Sequence, residues 1–152
     1  MEIIRENLPA VMTIAGIAIS IVLSGIGSAR GAAMITKAAA ALISEQPEKF
    51  GQSLVLQMMS ASQGLYGFII GFLIFVNLGD GLTFITALRC LSAGMIMGIA
   101  GYLTAIQQSI AATAGVQILA KKPEHSTKGV LYSAMIETYA IFAFVLSMLL
   151  VI

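Results

Sequence analysis

The chain has 152 residues, of which 59% are hydrophobic and only 10% are charged. Together with a mean hydropathy of +0.97, this composition excludes an ordinary water-soluble domain. The formal net charge is +1 and the basic residues are scattered, which excludes a nucleic-acid-binding surface. The one cysteine, Cys90, has no partner for a disulfide or a metal site, so we expect it to be a small packing residue. The composition predicts an integral membrane protein.

Four charge-poor stretches follow one another along the chain. They cover residues 8–29 with a weaker continuation to 44, residues 51–79, residues 90–120 and residues 129–152. Each is long enough to cross a bilayer core of ~30 Å, which takes roughly 20 helical residues. None shows the period-two alternation of a membrane barrel strand. We predict an all-α membrane protein with four transmembrane helices.

Three short loops marked by proline or glycine connect these helices, over residues 44–49, 77–81 and 121–128. Most basic residues lie in the first and third loops or toward the same end of the first helix: Arg30, Lys37, Lys49, Lys121, Lys122 and Lys128. The positive-inside rule therefore predicts that the first and third loops are cytoplasmic and both termini are outside. Asp80 is interpreted as a turn residue, and His125 as a solvated loop residue.

The chain contains an internal repeat. The sequence Gln-Pro-Glu at 46–48 recurs as Lys-Pro-Glu at 122–124, each time after an alanine-rich helix. We therefore predict one membrane domain, residues 1–152, built from two duplicated hairpins over residues 8–79 and 84–152.

The first hairpin lacks the membrane carboxylate that Glu137 provides in the second. Aligning Tyr66 with Tyr139 places Gly64 opposite Glu137, and this alignment requires a gap after the loop. In helices one and three, glycine, serine and alanine recur at helical spacing, which permits close helix contact and suits the crowded inner wall of a ring.

Glu137 lies deep in the fourth predicted helix, far from either end. A carboxylate at that depth is costly unless it is protonated, paired or bound to a cation. Helices two, three and four have no lysine or arginine at a similar depth, and we expect Arg30 and Lys37 nearer the cytoplasmic end. We therefore predict that Glu137 carries an ion.

Other polar residues are expected near the same depth. Met59, Ser62, Gln63 and Tyr66 share one face of helix two, and one of Gln107 and Gln108 is expected to face them from helix three. Packing between helices is the alternative role for such groups.

The number of oxygen atoms distinguishes the possible ions. A proton needs a carboxylate and one hydrogen-bond partner, whereas a dehydrated alkali cation needs about five or six oxygens. Those available are the Glu137 carboxylate, the Gln63 and Gln108 carbonyls, the Ser62 hydroxyl and the Met59 backbone carbonyl, with Tyr66 orienting the acid. One negative charge balances a monovalent ion, so Na⁺ is favoured and H⁺ is the alternative.

Five motifs in this order resemble the membrane rotor subunit (proteolipid, K or c subunit) of V-type ATPases, in particular that of bacterial sodium-pumping enzymes. They are Ser-Gly-Ile-Gly-Ser-Ala-Arg-Gly at 24–31, Gln-Pro-Glu-Lys-Phe-Gly at 46–51, Gln-Gly-Leu-Tyr-Gly-Phe at 63–68, Ile-Leu-Ala-Lys-Lys-Pro-Glu at 118–124 and Glu-Thr-Tyr-Ala at 137–140. The resemblance covers essentially the whole chain.

The resemblance implies a closed ring of identical subunits in the lipid of a bacterial plasma membrane. A soluble ATPase head would turn the ring through central-stalk subunits on the cytoplasmic loops, and a membrane stator subunit would present an arginine to the carboxylate. The chain itself would have no catalytic site.

The resemblance also implies a role for each site residue. It assigns the carboxylate to Glu137, amide ligands to Gln63 and Gln108, a carbonyl ligand to Met59, a hydroxyl ligand to Ser62 and the orienting role to Tyr66. Ser62 stands where the sodium type usually has threonine. Ser60 and Ala61 stand where sodium-type members have Pro-Gly, so the helix bend that would free the Met59 carbonyl is less strongly implied.

Two alternatives from other classes remain. A small four-helix proton-coupled antiporter would bind a proton and an organic cation alternately at Glu137, but it should have an aromatic cage, and the chain has no tryptophan. A purely structural pore or junction protein would leave a mid-membrane glutamate with nearby glutamines unexplained.

Overall fold

The computed structural model describes residues 2–79 and 82–152, with side chains from residue 7 onward, and these ranges contain helices and no strand. The elements are α1 (Glu2–Glu45), a 3₁₀ turn (Pro47–Lys49), α2 (Phe50–Met58), α3 (Ser62–Val76), α4 (Phe84–Lys121), a second 3₁₀ turn (Pro123–His125) and α5 (Ser126–Val151). Four segments are long and apolar enough to cross a membrane: Asn7–Glu45, Pro47–Val76, Phe84–Lys121 and Pro123–Val151. The predicted all-α membrane fold is confirmed.

The helix ends differ from the charge-poor stretches in two places. The first helix continues without interruption to Glu45, because its alanine-rich second half favours a helix as strongly as its apolar first half. The second span is two helices, α2 and α3, separated by a turn over residues 59–61. Asp80, interpreted above as a turn residue, lies outside the described residues.

The first and third spans, α1 and α4, lie against each other at very short distance. A Cβ atom added to Gly94 would collide with the carbonyl oxygen of Gly16, and one added to Gly27 would stand 2.6 Å from the Cα of Tyr102. Only glycine fits where two helix backbones approach this closely. The small residues of helices one and three therefore form a helix contact, as their spacing predicts.

Two apolar clusters lie on either side of a polar layer. Along α4, Gln108 lies between Ala112, Val116 and Leu119 of one cluster and Cys90, Ala93 and Met97 of the other. Cys90 is 2% exposed and unpaired, which confirms its assignment as a packing residue. The two buried glutamines, Gln63 and Gln108, therefore lie between the two apolar clusters.

The two hairpins correspond at a constant shift of 76 residues. This shift relates the 3₁₀ turn at Pro47 to the one at Pro123. It also relates one contact between helices in each hairpin. In the first, a Cβ atom added to Gly71 would stand 3.4 Å from the Ile17 carbonyl oxygen. In the second, Ser147 Oγ donates a hydrogen bond to the Ala93 carbonyl oxygen at 3.0 Å.

At this shift no gap is needed, and the counterpart of Glu137 is Ala61. The alignment of Tyr66 with Tyr139, which placed Gly64 opposite Glu137, is wrong by three residues. That alignment failed because it matched two tyrosine side chains, whereas the contacts between helices follow the shift of 76 residues.

Candidate ion-binding site

Glu137 is partly buried on α5, and both of its carboxylate oxygens accept hydrogen bonds. The Tyr66 hydroxyl donates to Oε1 at 2.8 Å, and the Gln108 amide nitrogen donates to Oε2 at 3.4 Å. Within the described side chains, no lysine or arginine forms an ion pair with the carboxylate. Neutral donors from two other helices therefore hold the acid.

A chain of amides continues from Glu137 into the interior. Gln63 donates from its amide nitrogen to the side-chain oxygen of Gln108, and both glutamines have 0% exposed surface. Gln107 is exposed, so Gln108 is the glutamine that faces the site. The Ser62 hydroxyl lies 3.4 Å from the side-chain oxygen of Gln63 and completes the chain.

The turn over residues 59–61 takes the Met59 backbone carbonyl out of the helical hydrogen-bond pattern. The Ser62 hydroxyl donates to the Met59 carbonyl at a long 3.4 Å, and no backbone N–H in the described ranges bonds to this oxygen. In an unbroken helix the N–H four residues later would occupy it. The turn thus leaves the Met59 carbonyl oxygen without a backbone donor, in contact with the Ser62 hydroxyl.

The helix break forms although the chain lacks Pro-Gly at this position, and contacts with α1 explain how. The first N–H groups of α3 have no partners in their own helix. The Gly64 N–H donates to the Ser28 hydroxyl of α1 at 2.8 Å. Because Gly64 has no side chain, the two helices approach closely enough for this bond. The interruption of the helix that would free the Met59 carbonyl, which the sequence implied only weakly, is therefore present.

Two residues that the sequence reasoning missed support the site. The buried Ser133 hydroxyl, one helical turn before Glu137, donates to the Gln108 backbone carbonyl at 3.2 Å. The Phe144 ring lies against Tyr66, with ring centroids 5.0 Å apart. Both positions share a face of α5 with Glu137, at four and seven residues, so helical spacing could have identified them.

Arg30 lies closer to the depth of the site than the sequence suggested. A Cβ added to its neighbour Gly31 would stand 3.1 Å from Ser60 and in contact with Ser109, which adjoins Gln108. The Arg30 guanidinium is exposed and donates to the Tyr102 hydroxyl at 2.7 Å. The expectation that Arg30 lies nearer the cytoplasmic end is corrected, and its side chain is bonded to Tyr102 rather than to Glu137.

The ligand set consists of one carboxylate and several neutral oxygens. No cluster of three or more histidine, cysteine, aspartate or glutamate side chains that could hold a metal occurs in the described part of the chain. A divalent or transition metal is usually held by several such groups, whereas a monovalent cation needs one charge and enough oxygens. The arrangement can therefore bind either a proton or an alkali cation.

Comparison with known proteins gives the same pattern of duplication. The family model of the ATP synthase C subunit matches the chain twice, over residues 15–74 and 91–150. The V-type sodium ATPase subunit K of Enterococcus hirae is 50% identical over 150 residues, covering 99% of this chain and 96% of that protein. The A-type ATP synthase subunit K of Methanocaldococcus jannaschii is 33% identical over 144 residues, covering 95% of this chain and 63% of that protein. The chain belongs to the ATP synthase C-subunit family, as a K subunit with the family's helical hairpin present twice.

Proposed function

We propose that this chain is the ion-carrying rotor subunit of a V-type ATPase and that each copy binds one Na⁺ at Glu137. The observation that carries the proposal is the grouping of one mid-membrane carboxylate with two buried glutamines, a serine hydroxyl and a free backbone carbonyl. The name of the Enterococcus relative, a sodium ATPase subunit, favours Na⁺ over H⁺.

The oxygens that would coordinate Na⁺ come from three helices. Glu137 supplies the charge from α5, Gln108 an amide oxygen from α4, and Gln63, Ser62 and Met59 the remaining oxygens from α3 and the turn before it. In the structure the Gln108 amide nitrogen faces Glu137 and its amide oxygen accepts from Gln63. Binding a cation therefore requires the Gln108 amide to rotate and present its oxygen, and the Gln63 amide to rotate with it. Tyr66 keeps its hydrogen bond to Oε1 and holds the carboxylate in place.

The same site explains how rotation would be coupled to ion loading. An occupied site is electrically neutral and can face lipid, whereas an empty carboxylate would have to be desolvated at large cost. A positive side chain on the stator would favour the empty carboxylate and release the ion. Since Glu137 is only partly buried, such a partner can approach it from the outer surface of α5.

The assembly and orientation are proposed as follows. Identical copies form the closed ring, a stator subunit with an arginine faces Glu137, and central-stalk subunits contact the cytoplasmic loops. Loops 44–49 and 121–128 face the cytoplasm of a bacterial cell, and both termini face outward, because the lysines of the loops favour this orientation.

Cysteine labelling tests the orientation. Single cysteines placed by Ser126→Cys and Gly81→Cys, in a chain carrying Cys90→Ala, should react with an impermeant maleimide from opposite sides of the membrane. Ser126→Cys should react only when the cytoplasmic face is accessible. Reaction of both from one side would reject the proposed topology.

Competition with a carbodiimide tests the ion. Carbodiimides react with a protonated carboxyl group, so bound Na⁺ should slow the modification of Glu137 near neutral pH. Equal K⁺ should protect less, and Glu137→Gln should remove the reaction altogether. Absence of protection by Na⁺ at every pH where Glu137 reacts would show a proton site, in which Gln63, Gln108 and Tyr66 only orient the acid.

A further inference from the structure

The carboxyl end of α4 is capped by a lysine of the first hairpin. The Lys49 ammonium donates to the carbonyl oxygens of Leu119 at 3.1 Å and Ala120 at 3.3 Å. These belong to the last turn of the helix, where carbonyls have no partner in the helix and a positive charge is favourable. Lys49 therefore joins the first hairpin to the second at the loop end.

The carboxyl end of α1 is built in the same way but has no such cap. Gln46 N–H donates to the Leu42 carbonyl at 2.8 Å, as Lys122 N–H donates to the Ile118 carbonyl at 2.7 Å, again at the shift of 76 residues. The counterparts of Leu119 and Ala120 are Ile43 and Ser44. No hydrogen bond from the described part of the chain reaches the carbonyl oxygen of either residue.

A groove on the free side of the second hairpin repeats the cleft between the two hairpins. From the first hairpin that cleft is lined by Ala38, Ala41, Leu42, Glu45 and Gln46. At the shift of 76 residues, the counterparts of these five residues all line the groove: Ala114, Gln117, Ile118, Lys121 and Lys122. His125, the counterpart of Lys49, also lines the groove.

The other side of the cleft is lined by Val116, Gln117 and Ala120 of α4. Their counterparts on α1 are Ala40, Ala41 and Ser44, which are small and exposed in the single chain. A second copy can therefore place the end of its α1 in the groove, as α4 lies in the cleft.

Charge favours the same occupant. The groove carries Lys121, Lys122 and Lys128 together with His125. The end of α1 has no basic residue in its last turn, and its free carbonyls carry partial negative charge. The lysines of the groove therefore favour the carboxyl end of a helix as the occupant.

We infer that His125 of each copy donates a hydrogen bond to the Ile43 or Ser44 carbonyl of the next copy, with the end of that copy's α1 seated in the groove of the second hairpin. Around a ring, Lys49 caps the end of α4 within each chain, and His125 caps the end of α1 in the next chain. This junction does not depend on which ion Glu137 binds.

Cross-linking of matched cysteine pairs tests the junction in native membranes. In a Cys90→Ala chain, the pair Ser44→Cys and His125→Cys should give a ladder of covalently joined copies with a short bismaleimide. The equivalent pair Ala120→Cys and Lys49→Cys should close within one chain and leave a monomer. If the first pair gives only monomers while the second pair reacts, the junction is refuted.

The temperature at which the ring dissociates tests the same junction without a cross-linker. His125→Ala should lower the dissociation temperature of the detergent-solubilised ring, while His125→Lys, which copies the cap inside the chain, should preserve it. Thr127→Ala, an exposed neighbour in the same loop, is the control and should leave the temperature unchanged. An unaltered ring in the His125→Ala variant contradicts the inferred bond.

Discussion

The two hairpins differ at one pair of equivalent positions that bears on the site, Ala61 in the first and Glu137 in the second. Ala61 lies in the turn that separates α2 from α3, whereas Glu137 lies in the uninterrupted helix α5. The broken helix exposes a backbone carbonyl beside Ser62 and Gln63, and the unbroken one holds a single carboxylate at fixed depth. In the proposed site the first hairpin supplies neutral oxygens alone, and the second supplies the charge of Glu137 together with the Gln108 amide.

The largest effect is expected from removing that charge. Glu137→Gln preserves the shape of the side chain but cannot bind a proton or neutralise a cation, so ion transport should be abolished while the ring still assembles. ATP-driven ²²Na⁺ uptake into proteoliposomes and the size of the ring on a native gel measure the two properties. Retained uptake by a ring made only of this variant would contradict the assignment of Glu137.

Transferring the carboxylate to the first hairpin tests whether the two positions are still interchangeable. The double variant Glu137→Gln with Ala61→Glu should remain inactive, because residue 61 is exposed and the hydrogen-bond donors Tyr66 and Gln108 are directed at α5. The same uptake assay measures it, with Glu137→Gln alone as the reference. Recovery of transport would show that the hairpins have not specialised.

The oxygens of the first hairpin and of α4 should determine ion affinity. Gln63→Ala or Gln108→Ala removes a coordinating oxygen, so the Na⁺ concentration that half-protects Glu137 from the carbodiimide should rise about tenfold or more. Gln107→Ala is the matched control, because Gln107 is the exposed neighbour on the same helix. Equal protection in all three variants would remove the glutamines from the coordination shell.

The membrane fold, and the set of polar residues that the structure brings together around Glu137, could be predicted from sequence because they follow from local patterns. Apolar length predicts the spans, and helical spacing places Ser62, Gln63 and Tyr66 on one face. The helix break was only weakly implied, since it is supported by a bond from Gly64 to Ser28, which lies on another helix and 36 positions away. The depth of Arg30 was predicted wrongly because it depends on the position of α1 along α4, and the sequence pattern of a single helix does not contain this information.

The smallest expected effect concerns the spacing between α4 and α5. Two serines of α5 make the same kind of buried bond to α4: Ser133 to the Gln108 carbonyl at 3.2 Å and Ser147 to the Ala93 carbonyl at 3.0 Å. Only Ser133 anchors the backbone of a residue that touches Glu137. Its bond fixes the distance over which the Gln108 side chain must reach the carboxylate.

Ser133→Ala and Ser147→Ala should therefore cost similar stability but differ in ion binding. Each loses one hydrogen bond, worth about 1 kcal/mol, so the melting temperatures of the two variants should fall together. The Na⁺ concentration for half-protection should rise about fivefold in Ser133→Ala, if most of that 1 kcal/mol is lost from the bound state, and should stay at the parental value in Ser147→Ala. Identical protection curves for the two serine variants would mean that the Ser133 bond only joins the helices, and that Gln108 is positioned by its contact with Gln63 alone.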